Sequence, residues 1–299
     1  MLCCIMIKYL PWNKNIAFML KPILKWGGLL LVGVFTLLWI GMQIQNPKPL
    51  AAHRDDFHHK GIFPQEQWFH SSTGKLYSWY SPKANKPTLL LIHGSPGDWT
   101  AWKKFILETS VAEKFQLVVF DRPAFGWSTD PGGSLTQQSK SLKPLIEQFC
   151  HPCVVAGHSY GAALALQLAV DYPQHLSAVL SIAGTVAAPH QQPRWYNRLG
   201  NTTVGKFLMG KAFRASNREM LVLGEELAKL SPKFKAFSGP AHFIQGGNDV
   251  LVPAASASYI HNQWPWAEVF LYPDKNHFLI WTDLELVLHA LHKIELDLD

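Results

Sequence analysis

Charge is scarce in this chain. Asp, Glu, Lys and Arg make up 16% of its 299 residues, against 48% hydrophobic residues. That balance excludes an intrinsically disordered chain and supplies ample apolar material for a core. Acids are scarcer than bases, 21 against 27, which leaves a formal net charge of +6. A basic excess can serve nucleic acid, a membrane surface or anionic substrates. No Lys/Arg-rich run alternates with aromatics, however, so no nucleic-acid partner is expected. Cysteine is rare as well, with four in all. Cys150 and Cys153 have C-x-x-C spacing but no second ligand pair at a suitable distance, so no zinc site is expected. Internal repeats and low-complexity segments are absent, which leaves no repeat array to consider.

One long uncharged run is present near the start. No charged residue occurs between Lys25 and Lys48, and the apolar part, Trp26 to Ile44, is long enough to cross about 30 Å of hydrocarbon. Lys8, Lys14, Lys21 and Lys25 precede it, whereas Lys48, Arg54, Asp55 and Asp56 follow with mixed sign. The positive-inside rule then puts the N-terminus in the cytoplasm and the rest of the chain on the extracytoplasmic side. A cleaved signal peptide is the first competitor, but its charged region would be unusually long and Pro49-Leu50-Ala51-Ala52 is a poor cleavage site. A buried core helix is the second, but the run precedes the domain and has no amphipathic face.

Residues 46–64 hold Pro, His and charge without periodicity and read as a linker. Beyond them strand and helix patterns alternate, which predicts a mostly parallel, doubly wound α/β sheet. Strands are expected at Gln67–His70 and Lys75–Tyr80, as a hairpin, and at Thr88–Ile92, Gln116–Phe120, Val154–Ala156, Ala178–Ala183, His242–Gln245 and Glu268–Tyr272. Helices are expected at Trp99–Thr109, Lys143–Phe149, Tyr160–Tyr172, Ala254–Gln263 and Thr282–Leu296. Between Thr185 and Gly239 the strand rhythm stops, and nine Lys or Arg stand against Glu219, Glu225 and Glu226. This stretch predicts a basic helical cap inserted between two strands. The expected organisation is therefore 1–25 cytoplasmic, 26–45 transmembrane anchor, 46–64 linker, 65–184 and 240–299 core, and 185–239 cap.

Gly157-His158-Ser159-Tyr160-Gly161 fits G-x-S-x-G. An apolar strand runs into it and a helix rich in small residues runs out, the context a nucleophile elbow requires. Serine is a weak nucleophile at neutral pH and needs a base, which in turn needs an orienting acid. For this motif the order should be Ser, acid, His. Asp249, in Gly246-Gly247-Asn248-Asp249, and His277, in Asn276-His277-Phe278, each follow a strand at its carboxyl edge. Asp274 and Asp121 are rivals for the acid. After the strand Thr88–Ile92 comes His93-Gly94-Ser95-Pro96-Gly97. The backbone amides of Ser95 and Tyr160 are the candidates to hold a carbonyl oxyanion, each contributing roughly 3–4 kcal/mol.

His93–Gly97, Asp121–Ser128, Gly157–Gly161, Gly246–Asp249 and Asn276–Phe278 stand in the order seen in α/β-hydrolases, and the chain resembles the lidded subgroup of that family. The resemblance covers about Gln67 to Ile294. It implies a triad of Ser159, Asp249 and His277, with Ser95 and Tyr160 as oxyanion donors. In Asp121–Ser128, Ala124 replaces the first glycine usual in the family. Epoxide hydrolases and haloalkane dehalogenases carry Asp at the nucleophile position, so Ser159 argues against both. The expected function is membrane-anchored hydrolysis of an ester, with a hydrophobic or lipid-like acyl substrate. Carbon–carbon bond hydrolysis, aminopeptidase activity and a non-catalytic binding module are the alternatives. No metal or organic cofactor is expected. Trp99, Trp102, Trp127 and Trp195 are candidates to line the pocket. Cys150 and Cys153 are a candidate disulfide in an oxidising compartment.

Overall fold

In a computed structural model of the chain, residue 27 and residues 33–37 and 47–298 are described. Most of the expected anchor, 26–45, lies outside the described residues. Among those described, no helix is long and apolar enough to cross a membrane. Contacts divide the chain into two units, 1–45 and 46–299. Of the first, residue 27 and residues 33–37 are helical. Residues 47–298 belong to the second.

Eight strands form one sheet: β1 (Gln65–His70), β2 (Lys75–Tyr80), β3 (Thr88–Ile92), β4 (Gln116–Phe120), β5 (Cys153–His158), β6 (Leu176–Ile182), β7 (Ala241–Gly246) and β8 (Glu268–Tyr272). Their spatial order is β1-β2-β4-β3-β5-β6-β7-β8. β2 pairs antiparallel with β1 and β4, and every other pairing is parallel. From β3 the chain steps to β4 on one side and later to β5 on the other. Strand order reverses there, and the crevice beyond the carboxyl ends of β3 and β5 is where open α/β sheets place their ligands.

Successive strand residues point to opposite faces. Leu90, Val118, Val155 and Val179 pack on one face beneath the helices Leu135–Phe149 and Tyr160–Asp171. Leu89, Val119, Ala156 and Leu180 pack on the other against Phe105, Val111 and the C-terminal helix Leu284–Leu298. Both faces are covered, so the central strands read as continuous apolar runs. β3 is buried along its whole length.

Three expectations need correction. Residues 46–64 are not a free linker. They form short helices at Leu50–His53 and Arg54–His58 and bury Leu50, Phe57 and Ile62. Phe57 lies 5.3 Å from the Trp79 ring and 6.0 Å from Trp99. Three anchors among many polar residues leave no periodic trace. Trp99–Thr109 is not one helix but a 3₁₀ turn, Trp99–Trp102, then Lys103–Ile106 and a separate Thr109–Lys114. Asp98 caps the turn by accepting from the Thr100 amide at 2.9 Å, and Glu108 is extended. The helix read at Lys143–Phe149 starts earlier, at Leu135, where Ser134 and Gln137 form a capping box.

Candidate active site

β5 ends in a backbone turn that lifts Ser159 out of the sheet. Ser159 adopts φ +54 and ψ −120, sparsely populated for a side-chain-bearing residue, and its amide is held by the Ile182 carbonyl at 2.9 Å. A Cβ at Gly157 would meet the Gly161 carbonyl oxygen at 2.3 Å, so the return into the helix Tyr160–Asp171 excludes any side chain there. The Tyr160 amide opens that helix and has no acceptor within it. The helix also directs its positive end at Ser159.

The loop after β3 closes over the elbow. A Cβ at Gly94 would stand 3.2 Å from the Ser159 Cβ, which sets how near the loop runs. His93, fully buried, fixes that loop. Its Nε2 accepts from the Arg122 amide at 2.9 Å, so its Nδ1 carries the proton and donates to the Gly94 carbonyl at 2.8 Å. Burial, reinforced by the Arg122 charge, holds His93 well below the usual histidine range. It is therefore a neutral spacer, not a base.

His277 is buried, and its Nδ1 lies 2.7 Å from Asp249 Oδ2. Asp249 Oδ1 accepts from the amides of Leu251 and Val252 at 2.8 and 2.7 Å. Burial pushes the Asp249 carboxyl up, but hydrogen bonds from His277 and Val252 outweigh it and hold the group below its ordinary value. With Nδ1 engaged, His277 Nε2 is the nitrogen left for chemistry. His158 sits behind it, donating from Nε2 to the His277 carbonyl at 3.1 Å, with ring centroids 5.0 Å apart. Burial, then the neighbouring His277, lowers His158 to about 3, so it is a neutral support.

Neither rival acid faces His277. Asp274 is exposed. Asp121 is buried and accepts from the amides of Trp99 and Trp127 at 2.9 and 2.8 Å, pinning the loop after β4. Within that loop Ala124 adopts φ +73, a left-handed conformation that explains why glycine is usual at this position. Burial raises Asp121 to about 7 against these hydrogen bonds. An unfolded Asp121 loses its proton near pH 4. From there to about pH 7 the unfolded state binds fewer protons, so this group subtracts stability as pH rises. Urea denaturation at pH 5 and pH 7 should show it: Asp121→Asn loses less stability across that interval than the wild type, whatever its absolute stability.

A buried charge cluster ties the cap to the loop after β3. Glu219, on the long cap helix Lys211–Phe234, meets Arg122 through two contacts, at 2.6 and 3.2 Å. Gln138 donates to the same carboxylate at 2.9 Å and Ser95 Oγ at 2.5 Å. Arg122 also donates to the Gly94 carbonyl at 3.1 Å, and its guanidinium lies 4.5 Å from the ring centres of both Phe125 and Tyr160. Nothing in the local sequence marks Glu219, Arg122 and Gln138 as partners, beyond an acid standing in a basic cap.

Ser95, Ser159 and His277 line one cavity of about 620 Å³. Met209, Phe213, Met220 and Leu223 from the cap and Leu251 and Val252 from the loop after β7 make its apolar wall. Gln191, Gln192, Asn197 and Asn217 add polar groups, and no carboxylate lines it among the described residues. None of the four candidate tryptophans does so. Trp99 and Trp102 are fully buried in the core, and Trp127 and Trp195 lie on the surface. Large flat rings near a site fill a core more readily than a mouth.

Cys150 and Cys153 are joined as a disulfide at the amino end of β5. The strand's length, about 20 Å, separates them from Ser159. No cluster of His, Cys, Asp and Glu suited to a metal is found among the described residues.

A family model described as "Alpha/beta hydrolase family" matches residues 89–290. The pimeloyl-[acyl-carrier protein] methyl ester esterase of Hamiltonella defensa is 24% identical over 255 residues, covering 72% of this chain and 96% of that protein. The sn-1-specific diacylglycerol lipase ABHD11 of Mus musculus is 22% identical, covering 68% and 79%. Among solved structures, a thermophilic esterase from Thermogutta terrifontis superposes with a TM-score of 0.61 at 18% identity, over 78% of this chain and 99% of that one.

Proposed function

From the premise that the chain belongs to the alpha/beta hydrolase family, we propose that it is a serine hydrolase that cleaves an ester with a hydrophobic acyl group. The observation that carries the reading is the chain of contacts from Asp249 through His277 to the cavity that Ser159 also lines. Ser159 Oγ attacks the ester carbonyl while His277 Nε2 takes its proton. Asp249 keeps the ring in that tautomer and stabilises the imidazolium. The amides of Ser95 and Tyr160 donate to the oxyanion. Collapse of the tetrahedral species expels the alcohol, which receives the proton from His277 and leaves an acyl group on Ser159. Water, deprotonated by His277, then attacks that ester, and its collapse releases the carboxylic acid and restores Ser159.

The apolar wall supports an acyl chain as the group bound. An aminopeptidase would need a carboxylate for the substrate amine. The cavity has none among its described lining residues, and nearby Glu219 is already paired with Arg122. The Lys8, Lys14, Lys21 and Lys25 pattern supports an anchor at 26–45 with the N-terminus cytoplasmic. The Cys150–Cys153 disulfide supports placing the hydrolase on the extracytoplasmic side.

A series of p-nitrophenyl esters from acetate to palmitate tests the reading. Turnover should favour the longer chains. Asp249→Ala should lower kcat on the order of 10³–10⁴-fold, while Asp274→Ala leaves it unchanged. A preference for acetate over every longer chain would contradict the substrate class, and a rate untouched by Asp249→Ala would contradict the acid.

A further inference from the structure

Between Arg194 and Arg218 the cap contains six cations and no acid. Arg194, Arg198, Lys206, Lys211 and Arg218 are exposed. The same stretch displays large apolar side chains to solvent: Trp195 is 75% exposed, Leu199 59% and Val204 67%. Tyr196 stands beside Trp195 with ring centroids 5.8 Å apart. These residues occupy two short helices, Trp195–Gly200 and Thr203–Leu208, with the start of the long cap helix behind them. Arg214 holds the pieces together by donating to the carbonyls of Lys206 and Met209 at 3.1 and 2.9 Å. Arg194 donates to the Leu251 carbonyl at 3.4 Å, joining the patch to the loop after β7, where Val250 is 80% exposed.

Exposed apolar patches of this kind mark interaction sites. Two features specify the partner. The patch's large exposed apolar side chains stand on two separate short helices, Trp195–Gly200 and Thr203–Leu208. Its aromatic and aliphatic tips are interleaved with cations and free of acid, the composition of elements that lie in the headgroup layer of an anionic bilayer. We propose that this face of the cap, centred on Trp195, Leu199 and Val204, docks on an anionic lipid surface. Arg194, Tyr196, Met209 and Phe213 also line the cavity. Docking therefore brings the cavity wall to the lipid, and, if the ester-hydrolase reading holds, an acyl chain enters from the bilayer without crossing water. The docking itself does not depend on that reading.

The test uses the full chain reconstituted with vesicles whose acyl chains carry bromine, a short-range quencher of tryptophan. Subtracting the emission of Trp195→Phe from the wild type isolates Trp195. Vesicles of phosphatidylcholine with about one third phosphatidylglycerol should quench this signal, and pure phosphatidylcholine should quench it far less. Arg198→Glu with Lys206→Glu should weaken the anionic-lipid effect by more than tenfold, at about fivefold per cation. Val204→Trp in the Trp195→Phe background should restore a quenched signal, which guards against loss of docking by the probe mutation itself. Any tether at 26–45 is common to all these samples. Equal emission in anionic and neutral vesicles at both probe positions overturns the proposal. So does a concentration-dependent blue shift of Trp195 without lipid, which would mean that the face pairs with a second copy. Ser159→Ala should dock as the wild type does, so failure here leaves the hydrolase reading intact.

Discussion

Ser159→Ala and His277→Ala should each lower ester hydrolysis by on the order of 10⁴–10⁶-fold, with the double variant barely worse than either single one. The non-additivity follows from the contacts. In the proposed mechanism Ser159 acts only if a base takes its proton, and His277 serves as that base only while Asp249 occupies its Nδ1, which lies 2.7 Å from Asp249 Oδ2. Removing either end disables the unit. Stability should respond differently to the two. Ser159 sits at φ +54 without a side-chain cap bond, so alanine there gives up little structural interaction. His277 is buried against Asp249 and His158, so its loss takes away the shorter of two side-chain contacts to Asp249 Oδ2 and leaves Gln245, at 3.2 Å. Single-turnover kinetics with thermal denaturation separates these effects: Ser159→Ala keeps the wild-type Tm, and His277→Ala falls below it.

Glu219→Ala should be the most damaging change to stability in the cap. The Arg122 side chain is fully buried and its carboxylate partner nearly so. Taking away Glu219 strands a guanidinium in a site with Gln138 and the Gly94 carbonyl as its remaining acceptors. Breaking a buried pair from one side costs about 3–5 kcal/mol, or roughly 10 °C in Tm for a domain of this size. Glu219→Gln keeps an oxygen for Ser95 but loses the charge, and should fall between. A catalytic consequence follows if the Ser95 amide donates to the oxyanion. Loosening the turn should lower kcat by up to the roughly 100-fold that one lost donor costs, with KM moving little. An unchanged kcat in folded Glu219→Gln would mean the cluster is structural alone.

How much of this was legible beforehand divides by range. Short strands bounded by turn residues announce themselves: β2, β3, β4 and β8 have the bounds that Lys75–Tyr80, Thr88–Ile92, Gln116–Phe120 and Glu268–Tyr272 suggest. Ser159 was legible because a strand, a turn and a helix are contiguous around it. Asp249 over Asp121 was a matter of preference in the sequence, and the structure places Asp249 against His277 and Asp121 among backbone amides. The Arg122–Glu219 pair was not legible, because its partners are 97 residues apart and on different layers. The same holds for the packed segment 46–64, whose Phe57 finds its neighbours only once Trp79 and Trp99 are in place. Trp99 and Trp102 were open for the converse reason: rings of that size serve as core more often than as a shelf for substrate, and the fold uses both as core.

The central claim is that Ser159 is the nucleophile, and fluorophosphonate labelling read by mass spectrometry tests it most directly. The probe reports an activated serine without assuming a substrate. The account predicts one adduct per chain, on the peptide bearing Ser159, abolished by Ser159→Ala and strongly slowed by His277→Ala. Folded protein that takes up no probe, or an adduct on a serine other than Ser159, would contradict it.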